Sequence, residues 1–81
     1  MSALLRYQQV FLSVFGLDQN QINSELKYQE VSGWDSLGHM ALMTALEDEF
    51  KIEIDIDDII DFSSYEEGLI ILSKYVSDLK K

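Results

Sequence analysis

Apolar residues recur at steps of three and four in separate stretches of this 81-residue chain, a period that only an α-helix turns into one continuous buried face. Leu4, Tyr7, Val10, Phe11, Val14 and Phe15 mark the first stretch, and Gly16 should stop it. His39, Leu42, Met43, Leu46 and Phe50 form the buried side of a second, with Asp35 or Ser36 placed to cap its first turn. Ser64, with Glu67 at capping-box spacing, opens a last helix whose apolar residues are Leu69, Ile70, Leu72, Tyr75, Val76 and Leu79. KIEIDIDDII alternates like a strand, but no partner strand is evident. An extended link and a short helix near Asp57 to Phe62 are expected instead. Leu17 to Trp34 lacks periodicity and reads as a long loop anchored by Ile22, Leu26 and Val31. The expectation is an all-α four-helix bundle, three longer helices and one short, with a long loop between helices one and two.

This length suits one core rather than two, so residues 1–81 are expected to form a single domain. Cysteine is absent, which removes disulfides, thiolate metal ligands and cysteine nucleophiles together and agrees with a cytoplasmic location. Any thiol must come from a cofactor. No apolar stretch approaches a membrane span and the N-terminus has no signal-peptide pattern, so no membrane insertion is expected. The formal net charge of -9 argues against nucleic acid, for basic partner surfaces and, through self-repulsion, for a monomer. From Glu47 to Glu67 the chain has ten acidic residues and one basic residue, Lys51.

Ser36 falls where a helix presents free N–H groups and the positive end of its dipole, an environment that favours a phosphate. Taken alone, Asp35-Ser36 reads first as a plain cap. Leu37, Ala41, Thr44 and Asp48 line the side of the second helix opposite its core face. That stripe is either a solvated face or a contact surface for another protein.

Gly33-Trp34-Asp35-Ser36-Leu37-Gly38-His39-Met40 closely resembles the attachment motif of acyl and peptidyl carrier proteins, whose centre is Asp-Ser-Leu. Leu46-Glu47-Asp48-Glu49-Phe50 resembles the acidic end of that family's second helix, and Ile52-Glu53-Ile54 the segment after it. Leu26 and Val31 match apolar loop positions of the family.

The resemblance implies a stand-alone carrier without catalytic residues. A phosphopantetheinyl transferase acting with magnesium would attach 4′-phosphopantetheine from coenzyme A covalently to Ser36. An acyl or related group would then ride as a thioester. Asp35 would orient the transferase or cap the helix, and Leu37 would meet incoming enzymes. Leu37, Ala41, Thr44, Glu47 and Asp48 would form the partner surface, with the two acids facing Arg and Lys of acyl-activating, condensing or acyl-transfer enzymes.

The sequence also departs from the family. Members serving primary fatty-acid synthesis tend to have a small residue at Trp34 and acids at Gly38 and Ala41. The resemblance therefore leans toward specialised lipid, polyketide, peptide or polysaccharide routes. Trp34 reads equally as a pin for the long loop. Lys51 stands where the family usually has a glycine in left-handed conformation, so either the backbone is strained there by on the order of 1 kcal/mol or the helix ends differently. His39, the single histidine, faces the core and is expected to pack or hydrogen-bond.

Three other readings fare worse. Asp55, Asp57 and Glu66 fit the first, third and twelfth places of an EF-hand loop, but Ile59 and Ile60 occupy places needing an oxygen ligand and a glycine, so no metal site is expected. An acidic helical adaptor whose Ser36 stays unmodified remains compatible with composition. An enzyme has little to work with beyond surface carboxylates.

Overall fold

A computed structural model describes residues 2–22 and 26–79. It contains four α-helices, α1 (Ala3–Phe15), α2 (Ser36–Phe50), α3 (Ile56–Asp61) and α4 (Tyr65–Leu72), with 3-10 turns at Gln19–Gln21 and Ser77–Leu79. No β-strand forms among the described residues. The chain is thus all-α, with a long loop between the first two helices.

The hydroxyl of Ser2 accepts the Leu5 amide and starts α1. Gly16 ends it in the left-handed conformation, its N–H bonded to the Leu12 carbonyl. Between these caps α1 buries Ala3, Tyr7, Val10 and Phe11. Phe11 lies against Tyr7, Trp34, Phe62 and Tyr65, with ring centroids 5.0, 5.4, 6.5 and 5.3 Å away. Leu42, Met43, Leu46 and Leu72 complete the fully buried set. Of the two core phenols, Tyr65 accepts from the Gln8 side-chain amide at 3.1 Å, and the fully buried Tyr7 donates to the Tyr65 carbonyl at 2.7 Å. Burial first, and the nearby Tyr65 second, push the ionisation of Tyr7 far up.

The loop is held at both ends. Ile22, Leu26 and Val31 pack against the core, as their apolar character requires. The Leu26 carbonyl accepts the Tyr65 amide at 2.9 Å, and the Tyr28 amide donates to the Ser63 carbonyl at 2.9 Å. The loop therefore runs beside the α3–α4 connection, with one antiparallel bridge between Lys27 and Ser64.

The alternating segment after α2 shows how a strand-like pattern is satisfied without a sheet. Ile54 is buried, and its N–H donates at 2.9 Å to Oε2 of Glu47 on α2. The Asp55 N–H donates to the Tyr75 hydroxyl at 3.1 Å. Side chains supply what a neighbouring strand otherwise would.

Where the sequence predicts one helix from Ser64 to Leu79, α4 stops at Leu72 and the chain resumes as a 3-10 turn. The Ser73 hydroxyl donates to the Ile70 carbonyl at 2.6 Å, and the next amides bond three residues back rather than four. Asp58 of α3 pulls the same turn inward, accepting from Lys74 at 2.7 Å and from the Tyr75 hydroxyl. The last helix is consequently among the shorter elements, and Leu79 still reaches the core.

Candidate functional site

Asp35 is the residue preceding α2 and Ser36 is its first residue. The Asp35 backbone is extended, and Oδ1 accepts the Gly38 amide at 3.0 Å. The Asp35 carbonyl accepts the His39 amide at 2.7 Å and closes the first turn. Capping takes up one first-turn amide and leaves those of Ser36 and Leu37 without helical partners at the end of the helix where Ser36 is exposed.

The site rests on a rigid back wall. Trp34 is 1% exposed, and its Nε1–H donates to Nδ1 of His39 at 2.9 Å. The Nε2–H of His39 meets the Ile59 carbonyl oxygen at 2.8 Å. One indole–imidazole pair thus joins the loop, α2 and α3 directly behind Ser36. Gly38 sits so close to the Gly33 carbonyl that a Cβ there would collide with it and press on the Phe15 ring at 3.3 Å. An acidic residue at position 38, usual in carriers of primary fatty-acid synthesis, is incompatible with this loop path.

Leu37 is 84% exposed, and Ala41, Thr44 and Asp48 continue its stripe along α2, all exposed. Glu47 differs from the other residues expected on a partner surface. It is half-buried and its carboxylate is engaged with Ile54, so it helps hold the α2–α3 link whatever else it does. Sequence spacing could not reveal that second role, because it depends on the path of the link.

Two features near the site were missed from sequence. The Tyr28 hydroxyl lies 3.4 Å from Ser36 Oγ. Beside it opens a cleft of about 240 Å³ lined by Tyr28, His39, Ile59, Ile60, Phe62 and Ser63. Both come from the loop's return toward α3, which no local pattern encodes. Asp55, Asp57 and Glu66 form no cation site, and no cluster suited to a metal occurs among the described residues. No helix among them is long and apolar enough to cross a membrane.

An exposed hydroxyl at the electropositive start of a capped helix can hold a phosphodiester without disturbing the core. The profile of the family described as "Phosphopantetheine attachment site" matches residues 8–67, and the chain belongs to that family of carrier proteins. It is also similar to an acyl carrier protein from Solidesulfovibrio magneticus (strain ATCC 700980 / DSM 13731 / RS-1), with 26% identity over 74 residues, covering 91% of this chain and 95% of that protein. No solved structure gives a significant match. The cofactor of the family is covalently attached 4′-phosphopantetheine, and the exposed helix start described above fits it.

Proposed function

We propose that Ser36 carries the 4′-phosphopantetheine arm and that the chain, as a single non-catalytic domain, presents acyl or related groups to biosynthetic enzymes. The observation that carries this reading is the exposed Ser36 hydroxyl at the first position of α2, beside a carboxylate already engaged in capping. The arm supplies the thiol that a cysteine-free chain lacks, and on it a thioester reactive enough for transfer. The protein's own residues do the rest. Asp35 and the Trp34–His39 pair fix the start of α2, so that the Ser36 hydroxyl is displayed to a phosphopantetheinyl transferase rather than folded inward.

Leu37, Ala41, Thr44 and Asp48 form the surface that enzymes with basic docking faces meet, with the apolar Leu37 near the arm and the acid further along. Charge at the far end mainly sets encounter rate and partner choice. Glu47 adds to the field, although its carboxylate is shared with Ile54. Trp34, Gly38 and the uncharged Ala41 favour a specialised lipid, polyketide, peptide or polysaccharide route over primary fatty-acid synthesis. A monomer in the cytoplasm suits this role.

Incubation with coenzyme A, magnesium and a broad-specificity phosphopantetheinyl transferase tests the reading. The intact mass should rise by one phosphopantetheinyl group, and Ser36→Ala should stay unmodified. A wild-type chain that remains unmodified beside a modified control carrier would instead indicate an acidic adaptor.

A further inference from the structure

We infer that Tyr28 is a positioning residue for the arm, its hydroxyl donating a hydrogen bond to a non-bridging oxygen of the phosphodiester on Ser36. The inference rests on the assignment of the arm to Ser36.

The Tyr28 hydroxyl is 3.4 Å from Ser36 Oγ, longer than the roughly 2.7–2.8 Å of a good O–H···O bond. This is the one hydrogen bond that hydroxyl makes among the described residues. It is therefore held near Ser36 without being committed to it. The ring, by contrast, is fixed. It stands edge-on to His39 with centroids 5.4 Å apart and edge-on to Trp34 at 6.4 Å. Those two rings are tied by their own hydrogen bond, and the Tyr28 amide is tied to the Ser63 carbonyl. Little freedom remains to be lost when the hydroxyl finds a stronger acceptor.

Attachment of the arm creates that acceptor. Esterified Oγ has no proton left to donate, so in the loaded protein the phenol must be the donor of the pair. Rotation about the ester bonds sweeps the anionic non-bridging oxygens past the Tyr28 hydroxyl. A bond to such an oxygen is about twice as strong as one between neutral groups. The need is also local. Asp35 already places a carboxylate at this helix start, and the chain carries a formal net charge of -9. A second negative group therefore gains more from a fixed neutral donor than from helix amides alone. Tyr28 also lines the cleft, so a phosphodiester held by its hydroxyl roots the arm at the cleft mouth.

The test compares loaded wild type with loaded Tyr28→Phe by 31P NMR, each first confirmed by intact mass to carry one arm. Phenylalanine keeps the ring packing against His39 and Trp34, so the amide spectrum and thermal midpoint should be unchanged. The expected result is a shifted and narrower phosphorus resonance in Tyr28→Phe, and none in Tyr75→Phe, which removes a phenol bonded to Asp58 instead. On the wild type alone, a cross-peak should connect the Tyr28 ring protons with the first methylene of the arm. Identical phosphorus spectra for wild type and Tyr28→Phe, or a missing cross-peak, would overturn the inference while leaving Ser36 as the anchor. Failure of Ser36 to take up the arm would overturn both.

Discussion

Trp34 and His39 hold each other in a single orientation: the indole Nε1–H donates to Nδ1, which leaves Nε2–H for the Ile59 carbonyl. The ring therefore carries its proton on Nε2. Nitrogen-15 NMR should show that tautomer. His39→Ala should leave the buried indole N–H without its acceptor and destabilise the protein by about 1–3 kcal/mol. At this size that is a fall of roughly 4–8 °C in thermal midpoint per kcal/mol. A midpoint within the error of wild type would contradict the arrangement.

Lys51 ends α2 with φ of 57° in the left-handed region. A side chain costs about 1–2 kcal/mol there, part of which glycine loses again through roughly 0.4–1 kcal/mol of extra freedom when unfolded. Lys51→Gly should therefore raise stability by roughly 0.5–1 kcal/mol. Urea denaturation checks this. A less stable variant would mean that the lysine side chain contributes something the backbone argument omits.

Asp58 supplies an acid-sensitive tie. Its hydrogen bond with Lys74 first, and that with Tyr75 second, hold its carboxyl below the usual carboxylate value. A group so depressed stabilises the fold fully above its ordinary pKa and loses that contribution as pH falls through the lower, folded value. Lys74 and Tyr75 are raised, each chiefly by its bond to Asp58, so their contribution is full below their ordinary values and fades as pH climbs through the raised ones. Asp58→Asn should be less stable than wild type near neutrality, with the gap closing below about pH 4. A gap independent of pH would show that charge at Asp58 plays no part.

How much of this could be read in advance depends on the range of the interaction. Gly16, Ser64 and the apolar periods of α1 and α2 act within one or two turns, and the structure follows them except at Leu4, which is exposed while its neighbour Ala3 is buried. A cap at Asp35 or Ser36 was legible for the same reason, and the structure gives it to Asp35, with Ser36 the exposed first residue. The break at Leu72 was not, because Asp58, sixteen residues from Lys74, helps fold the turn after α4 inward. Nor was the close approach of Gly38 to the Gly33 carbonyl, which arises only from how the loop re-enters the helix. Tyr28 lies in the aperiodic loop, and only its long-range backbone bond to Ser63 sets it beside Ser36.

The double life of Glu47 separates docking from folding. Asp48 is exposed and its side chain makes no hydrogen bond or ion pair among the described residues, so Asp48→Lys should leave the thermal midpoint unchanged while slowing transfer to a basic partner enzyme at low salt. Glu47→Ala should instead lower stability by about 1–3 kcal/mol, because the half-buried Ile54 amide loses its acceptor. Stopped-flow transfer and thermal denaturation on the two variants distinguish the roles. Equal effects of both changes on both measurements would refute the division.

Attachment of the arm to one oxygen atom, Ser36 Oγ, is decided by peptide fragmentation of the loaded protein. The phosphopantetheinyl group should map to Ser36 and to no other residue. Its recovery on Ser32, Ser63 or Ser64 would contradict attachment at Ser36.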